Sequence, residues 1–215
     1  MISDGFWGWQ RRSAKRLLVI ASLLPVVLSC GVLAAVSQGF FPGGAFYPDN
    51  LKLDAFKAKW YSEQLTALEE PPLFKAKQDP GVQSYRFLWL RTFHHPVAVR
   101  VVIHPDGAGT VTAKMADGAG GYKPGKLLVD KTELLPPNKV KKLIEKIAQL
   151  SYWALPTRDP EPPGLDGAQW VVEGIDHGKY HLVDRWTPKK GAVRELGLYF
   201  LRDVASLDLK NEPIY

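Results

Sequence analysis

The longest unbroken hydrophobic pattern in the chain comes first. From Leu17 to Val36 twenty residues run without a charge, interrupted only by Ser22, Pro25, Ser29, Cys30 and Gly31. A helix rises about 1.5 Å per residue, so this run covers the ~30 Å hydrocarbon core of a bilayer. Pro25 is no obstacle, because neighbouring groups re-satisfy a freed carbonyl inside a membrane helix. The run is apolar all round rather than on one face, which separates it from an amphipathic core helix.

The rest of the chain alternates between helical and strand periods. Gln38 to Pro48 is a glycine- and aromatic-rich connector. From Asn50 to about Glu69 the spacing predicts a helix, with Leu53, Phe56, Trp60 and Leu68 along one stripe; Pro48-Asp49-Asn50 caps it and Pro71-Pro72 stops it. Tyr85 to Phe93 is strand-like with apolar groups on both parities, as suits an inner strand. Val97, Val99, Val101 and Ile103 alternate cleanly, a turn follows over Pro105 to Gly109, and Val111, Ala113 and Met115 continue the apolar face of a first hairpin. A glycine-rich loop, Gly118 to Gly125, leads to a short strand near 126–130. Pro136-Pro137-Asn138 opens a helix to about Leu150, with Val140, Leu143, Ile144, Ile147 and Leu150 on one side and four lysines on the other. A proline-rich loop covers 156–164, a second hairpin 168–187, and a closing helix 194–207 turns Leu196, Phe200, Val204 and Leu207 inward.

The second hairpin needs a register. A three-residue loop Asp176-His177-Gly178 places Ile175 opposite Lys179 and gathers Trp170, Val172, Tyr180, Leu182 and Trp186 on one face, whereas a two-residue loop scatters them over both. The three-residue loop is therefore expected. The resulting order, α-β-β-β-β-α-β-β-α, predicts an α+β fold: an antiparallel sheet of two hairpins plus an extra strand, helices packed on one face, preceded by one transmembrane or signal helix. The expected division is a cytoplasmic N-terminus over 1–16, a transmembrane or signal segment over 17–37, a connector with an amphipathic helix over 38–83, and an extracytoplasmic α+β domain over 84–215.

Charge sharpens the address. Arg11, Arg12, Lys15 and Arg16 precede the apolar run and no basic residue lies between Val36 and Leu51, so the positive-inside rule keeps the N-terminus in the cytoplasm. Trp7 and Trp9 on one side and Phe40, Phe41 and Tyr47 on the other are placed for the two interfaces. Besides retention as a single-pass bacterial inner-membrane anchor, two other fates are open. Ala35-Val36-Ser37 before Gln38 has the small-x-small form of a signal cleavage site. Val27-Leu28-Ser29-Cys30 resembles a lipobox, making Cys30 a lipidation candidate, although Leu28 is large for its place and no polar tether follows.

The formal net charge of +6 is unremarkable once divided: residues 1–37 hold four basic and one acidic group, and the other 178 positions hold 24 and 21. No basic stripe for a phosphate backbone results, and nucleic acid is excluded as a partner. Cys30 is the only cysteine, so the exported part has no internal disulfide, no thiol nucleophile and no cysteine metal site.

Candidate chemistry is sparse. In the expected register Glu173 faces His181 and Gln169 faces Arg185 away from the core, with Asp166 just before the strand. A carboxylate beside an imidazole can set up proton transfer or supply metal ligands. The same pairs are ordinary cross-strand contacts worth ~0.2–1 kcal/mol, which is the favoured reading. Asp184 falls on the tryptophan-rich face and needs a donor, with Arg91 or Arg202 as candidates. Gly118 to Gly125 lacks the spacing of a phosphate loop. There is no G-x-S-x-G, no H-E-x-x-H, no G-x-G-x-x-G after a strand and no Cys–His pair.

From the Tyr85–Phe93 strand through Gly164–Trp170 to Tyr180–Trp186 and the closing helix, the chain resembles small membrane-anchored or exported bacterial proteins of uncharacterised families. That resemblance implies no activity and assigns no residue. The expectation is a membrane-anchored extracytoplasmic binding or structural module, held by the bilayer through residues 17–37, with an envelope protein or polymer as partner and neither cofactor nor metal. The alternatives are an exported hydrolase using Glu173, His181 and Asp166, and an envelope lipoprotein.

Overall fold

The computed structural model describes residues 39–159, 164–208 and 212–215. The chain divides into a unit of residues 1–36 and a compact unit of residues 37–215. The expected membrane or signal helix, its flanking arginines and Cys30 lie outside the described residues. Among the described residues no helix is long and apolar enough to cross a membrane.

The segment that is apolar on both parities becomes the spine of the fold. It forms β1 (Gln83–Arg91), every residue of which is buried from Ser84 onward. The other strands are β2 (Val97–Ile103), β3 (Gly109–Ala116), β4 (Leu127–Leu135), β5 (Ala168–Asp176) and β6 (Lys179–Trp186). They make one antiparallel sheet in the order β4-β3-β2-β1-β5-β6. The first hairpin keeps its expected apolar face, with Val97, Val99 and Val101 opposite Met115, Ala113 and Val111. The short strand expected near 126–130 extends to nine residues and forms one edge of the sheet.

Helices cover both faces of this sheet, not one. On the first face lie α2 (Pro137–Gln149) and α3 (Ala192–Tyr199), the latter running on as a wider π-type turn over Phe200–Val204. Their Val140, Leu143, Ile147, Leu196, Phe200 and Val204 pack on Phe87, Trp89, Val99, Val101, Trp170 and Val172. On the second face α1 (Leu51–Ala67) and the segment before it bring Phe40, Phe41, Phe46, Tyr47, Tyr61, Leu65 and Leu68 onto Leu88, Leu90, Ala98, Val171 and Leu182. Phe40, Phe41 and Tyr47, placed from sequence at a membrane interface, are thus core residues of this unit.

Two-sided burial also overturns the expected second hairpin. Its loop is two residues, His177 at φ +47° and Gly178 at φ +77°, with Asp176 opposite Lys179. Positive φ at both central positions is the turn whose twist matches the flanking strands. A sheet covered on one face alone favours the register that collects apolar groups on that face. A sheet covered on both faces has no such preference, so Trp170 and Val172 face α3 while Val171 and Leu182 face α1.

Candidate functional surface

The register change separates the residues that sequence had grouped. Glu173 stands opposite Leu182, His181 opposite Gly174, Gln169 opposite Trp186, and Arg185 opposite Trp170. Glu173 and His181 therefore occupy opposite faces of the sheet. Asp166 is exposed in the loop before β5, apart from both. Two open clefts of about 410 and 460 Å³ flank Asp159, and neither is lined by Glu173, His181 or Asp166. Among the described residues no group of three His, Cys, Asp or Glu side chains is arranged to hold a metal ion.

Glu173 is consumed by structure. Fully buried, it accepts from Arg86 Nε at 2.9 Å and from Arg86 Nη2, and its other oxygen accepts from the Tyr180 hydroxyl at 2.9 Å. Arg86 also donates to the Pro71 carbonyl at 2.7 Å and reaches Glu70 at 3.5 Å, while Arg100 Nε donates to Glu70 at 2.8 Å. Burial presses the Arg86 guanidinium toward its neutral form, but Glu173 and Glu70 outweigh it and raise its pKa. Burial and the Glu173 charge together push the Tyr180 hydroxyl well up, so it stays a donor. Arg86, Glu173 and Glu70 are enclosed, with partly buried Arg100 and Tyr180 at their side, and the charge-assisted bonds clamp the 69–71 turn after α1 to the sheet.

His181 sits on the first face with its ring 5.1 Å from Tyr152 and 6.0 Å from Trp153, centroid to centroid. Its Nε2 is buried without a hydrogen-bond partner. Burial depresses its pKa, so the ring is neutral in the fold. Among the described residues, no carboxylate contributes to its electrostatics.

Asp184 finds a donor that sequence had not named. Arg91 is paired with Glu212 instead, and Lys57 of α1 meets Asp184 at 2.5 Å, with side chains 8% and 1% exposed. The Tyr61 hydroxyl lies 3.3 Å from both Asp184 oxygens. Lys57 is further caged by the rings of Tyr47, Tyr61 and Phe46 at 5.5, 5.6 and 5.9 Å. One turn earlier, Asp54 accepts from the backbone amides of Gly44, Phe46 and Tyr47 at 2.8–3.0 Å. Burial raises the Asp54 carboxyl, and these three amides more than offset it, leaving the pKa below its usual value. Gln64 donates to the Tyr122 carbonyl at 3.0 Å.

These contacts set the buried side of α1. Its inward stripe is Asp54, Lys57, Tyr61 and Gln64, with Leu65 and Leu68 at the end. Of the stripe read from sequence, Leu68 is fully buried and Trp60 partly buried on the core, while Leu53 and Phe56 are exposed on the flank. Phe56 is 64% exposed, and its ring lies 6.4 Å from that of Trp60. The Trp60 indole donates to the Gly120 carbonyl at 2.9 Å, which ties the outward face to the glycine-rich loop. That loop is closed on itself by Gly118–Pro124 and Ala119–Lys123 hydrogen bonds and fastened to the β1–β2 turn by the amides of Gly120 and Gly121. It presents Tyr122, 63% exposed, against Phe93, 59% exposed, with ring centroids 6.1 Å apart. Leu53 and Phe56 on α1 and Phe93 and Tyr122 beside the glycine-rich loop are exposed, as are Lys52, Lys59 and Lys123, while Trp60 is partly buried against the second-face core. Lys59 is 3.9 Å from Glu63.

The missed signal was the second stripe of α1. Asp54, Lys57, Tyr61 and Gln64 recur at helical spacing as regularly as the apolar set, and a buried Asp184 requires a cation. Only the tertiary arrangement brings the two together. No protein-family model matches the chain, and no curated protein is significantly similar to it. The fold and its surface define an α+β protein whose antiparallel sheet is covered on both faces, with one covering helix packed by its polar side.

Proposed function

We propose that the chain is a single-pass bacterial inner-membrane protein whose extracytoplasmic α+β domain serves as a binding module, using the outward face of α1 as its binding surface. The observation that carries the reading is the polar inner side of α1. With a buried ion pair and the Asp54 carboxylate turned inward, the helix leaves Leu53 and Phe56 exposed, and exposed apolar side chains beside one another support a reading as an interaction site. The address rests on the charge-free run Leu17–Val36 and the four basic residues before it. The alternative of catalysis by Glu173, His181 and Asp166 loses its support, because these groups lie apart and Glu173 is committed to Arg86 and Tyr180.

Two measurements test the reading. Intact mass of the membrane-fraction protein should give a chain beginning at Met1, and externally added protease should digest the region after residue 38 only once the outer permeability barrier is opened. A mature chain beginning at Gln38, or an acylated Cys30 at the N-terminus, overturns the anchor. For the surface, Phe56→Ser should leave the thermal midpoint within about 2 °C of the parent, the shift expected of an exposed side chain costing ~0.5 kcal/mol or less. A loss several times larger would make the outward face part of the core.

A further inference from the structure

The sheet has two edges, and the fold closes one of them. Along β6 the Asp184 amide donates to the Thr157 carbonyl at 2.7 Å, and the Arg185 guanidinium donates to the Pro156 and Thr157 carbonyls. Among the described residues no backbone hydrogen bond closes β4 in this way, and its Leu128, Val129 and Leu134 are 59%, 38% and 74% exposed. An uncovered edge strand with apolar side chains is a template for another strand. We propose that β4 is the contact between two copies of this chain, pairing antiparallel about Thr132 so that the sheet continues from one copy into the other.

The ladder leaves the groups that such a contact needs. At the head of the β2–β3 hairpin the His104 amide donates to the Ala108 carbonyl at 2.9 Å, so the even-numbered residues of these two strands bond to each other. Alternation then turns the odd-numbered residues of β3 toward β4, and the amides and carbonyls of Asp130, Thr132 and Leu134 point to the open edge.

Charge and symmetry together select a second copy and its register. A two-fold contact repeats every pair in reverse, and residues opposite one another must share a face, so one residue opposes itself. Centring on Asp130, Lys131 or Glu133 sets like charges face to face, which is destabilising. Centring on Val129 brings Leu127 onto Lys131 and leaves Glu133 beyond the overlap. Centring on Thr132 overlaps Val129 to Leu135 and puts Lys131 of each copy opposite Glu133 of the other. Within one copy these two side chains are already 2.9 Å apart, so four charges of alternating sign close into a square. Val129 meets Leu135, and Asp130, opposite Leu134, keeps Lys114 of its own chain at 3.8 Å. The β4 edge is complementary to itself in charge as well as in backbone.

The test uses the full chain with Cys30→Ala in detergent micelles. Sedimentation equilibrium over roughly 1–300 μM should show a monomer–dimer equilibrium. Lys131→Glu and Glu133→Lys should each weaken it by about tenfold or more, because each sets two like-charge pairs opposite one another. An equimolar mixture of these two variants should associate as the parent does, and so should the double variant, since opposite charges face each other again; rescue by mixing also shows that both variants fold. On mild oxidation Thr132→Cys should form an intermolecular disulfide, its Cα about 5.5 Å from its counterpart. Leu134→Cys, ~13 Å out of step along the strand, should not. A chain monomeric throughout, a dimer indifferent to the charge reversals, or a mixture no tighter than its components would each overturn the proposal. Cross-linking through Leu134→Cys and not Thr132→Cys would overturn it as well.

Discussion

Replacing Lys57 by methionine removes the cation on which the orientation of α1 depends. The ammonium lies 2.5 Å from Asp184, and both side chains are almost wholly enclosed. Breaking a buried pair by deleting one partner costs about 3–5 kcal/mol, because the other charge is left unsolvated. The three surrounding rings add a cation–π contribution of about 0.5–2 kcal/mol that is lost as well, though the methionine thioether recovers part of it. Lys57→Met should therefore lower the unfolding free energy by about 3–5 kcal/mol, a fall in midpoint of roughly 6–20 °C for a unit of this size. Asp184 tempers the loss in a pH-dependent way. Burial already raises its carboxyl above the ordinary value, against the lowering pull of Lys57, Tyr61 and Arg185. Without Lys57 it rises further. A carboxyl that titrates higher folded than unfolded binds its proton more tightly in the fold, so the variant should regain stability as the pH is lowered from neutrality toward 5. The double variant Lys57→Met with Asp184→Leu removes both charges and should return to within about 1 kcal/mol of the parent. The assay is urea unfolding followed by tryptophan fluorescence, on the full chain in detergent micelles. A single-variant cost below about 1 kcal/mol, or a double variant as unstable as the two singles added together, would refute the claim that this pair sets the helix's orientation.

Further outcomes follow from other parts of the fold. His181 titrates lower folded than free, chiefly through burial, so the unfolded chain takes the proton first and stability falls as pH drops through about 6.5. His181→Leu should flatten the pH 7-to-5 stability slope, and an unchanged slope would place the sensitivity elsewhere. Gly197 of α3 lies where a Cβ would come within 2.6–2.7 Å of the Trp170 and Phe87 rings. Gly197→Ala should thus cost about 1–3 kcal/mol in denaturant unfolding despite its better helix propensity, and a stabilised variant would contradict the packing. His177 holds a left-handed conformation in the two-residue turn, so His177→Gly should gain up to about 1 kcal/mol. A clear loss of stability there would favour a different loop.

How much of this was legible beforehand depends on whether a pattern had one solution. The alternation of Val97 to Ile103, the turn after it and the face resumed at Val111 marked one apolar face, and the structure buries it. The buried side of α2, Val140, Leu143 and Ile147, followed as directly, because its other side is lysine-rich. The core side of α3 was equally plain in Leu196, Phe200 and Val204. The second hairpin was different: with apolar residues on both parities, the register depended on whether one face or two would be covered. That question belongs to α1, and the chain local to residues 168–187 does not contain the answer.

By itself, then, the sequence determined the order of helices and strands, the α+β class, the apolar face of the first hairpin and the faces of α2 and α3. It also supplied the charge-flanked apolar run on which the proposed membrane address rests. The physical reason is that period and turn chemistry are local and near-additive. Only the tertiary structure decided which side of α1 faces inward, the pairing of Glu173 with Arg86 instead of His181, and the exposure of Phe56, Tyr122 and Phe93. Those outcomes turn on buried charges that must find partners far along the chain. Leaving such a charge unpaired costs more than leaving a phenylalanine in water, so α1 buries the Lys57 cation against Asp184 and leaves Phe56 exposed.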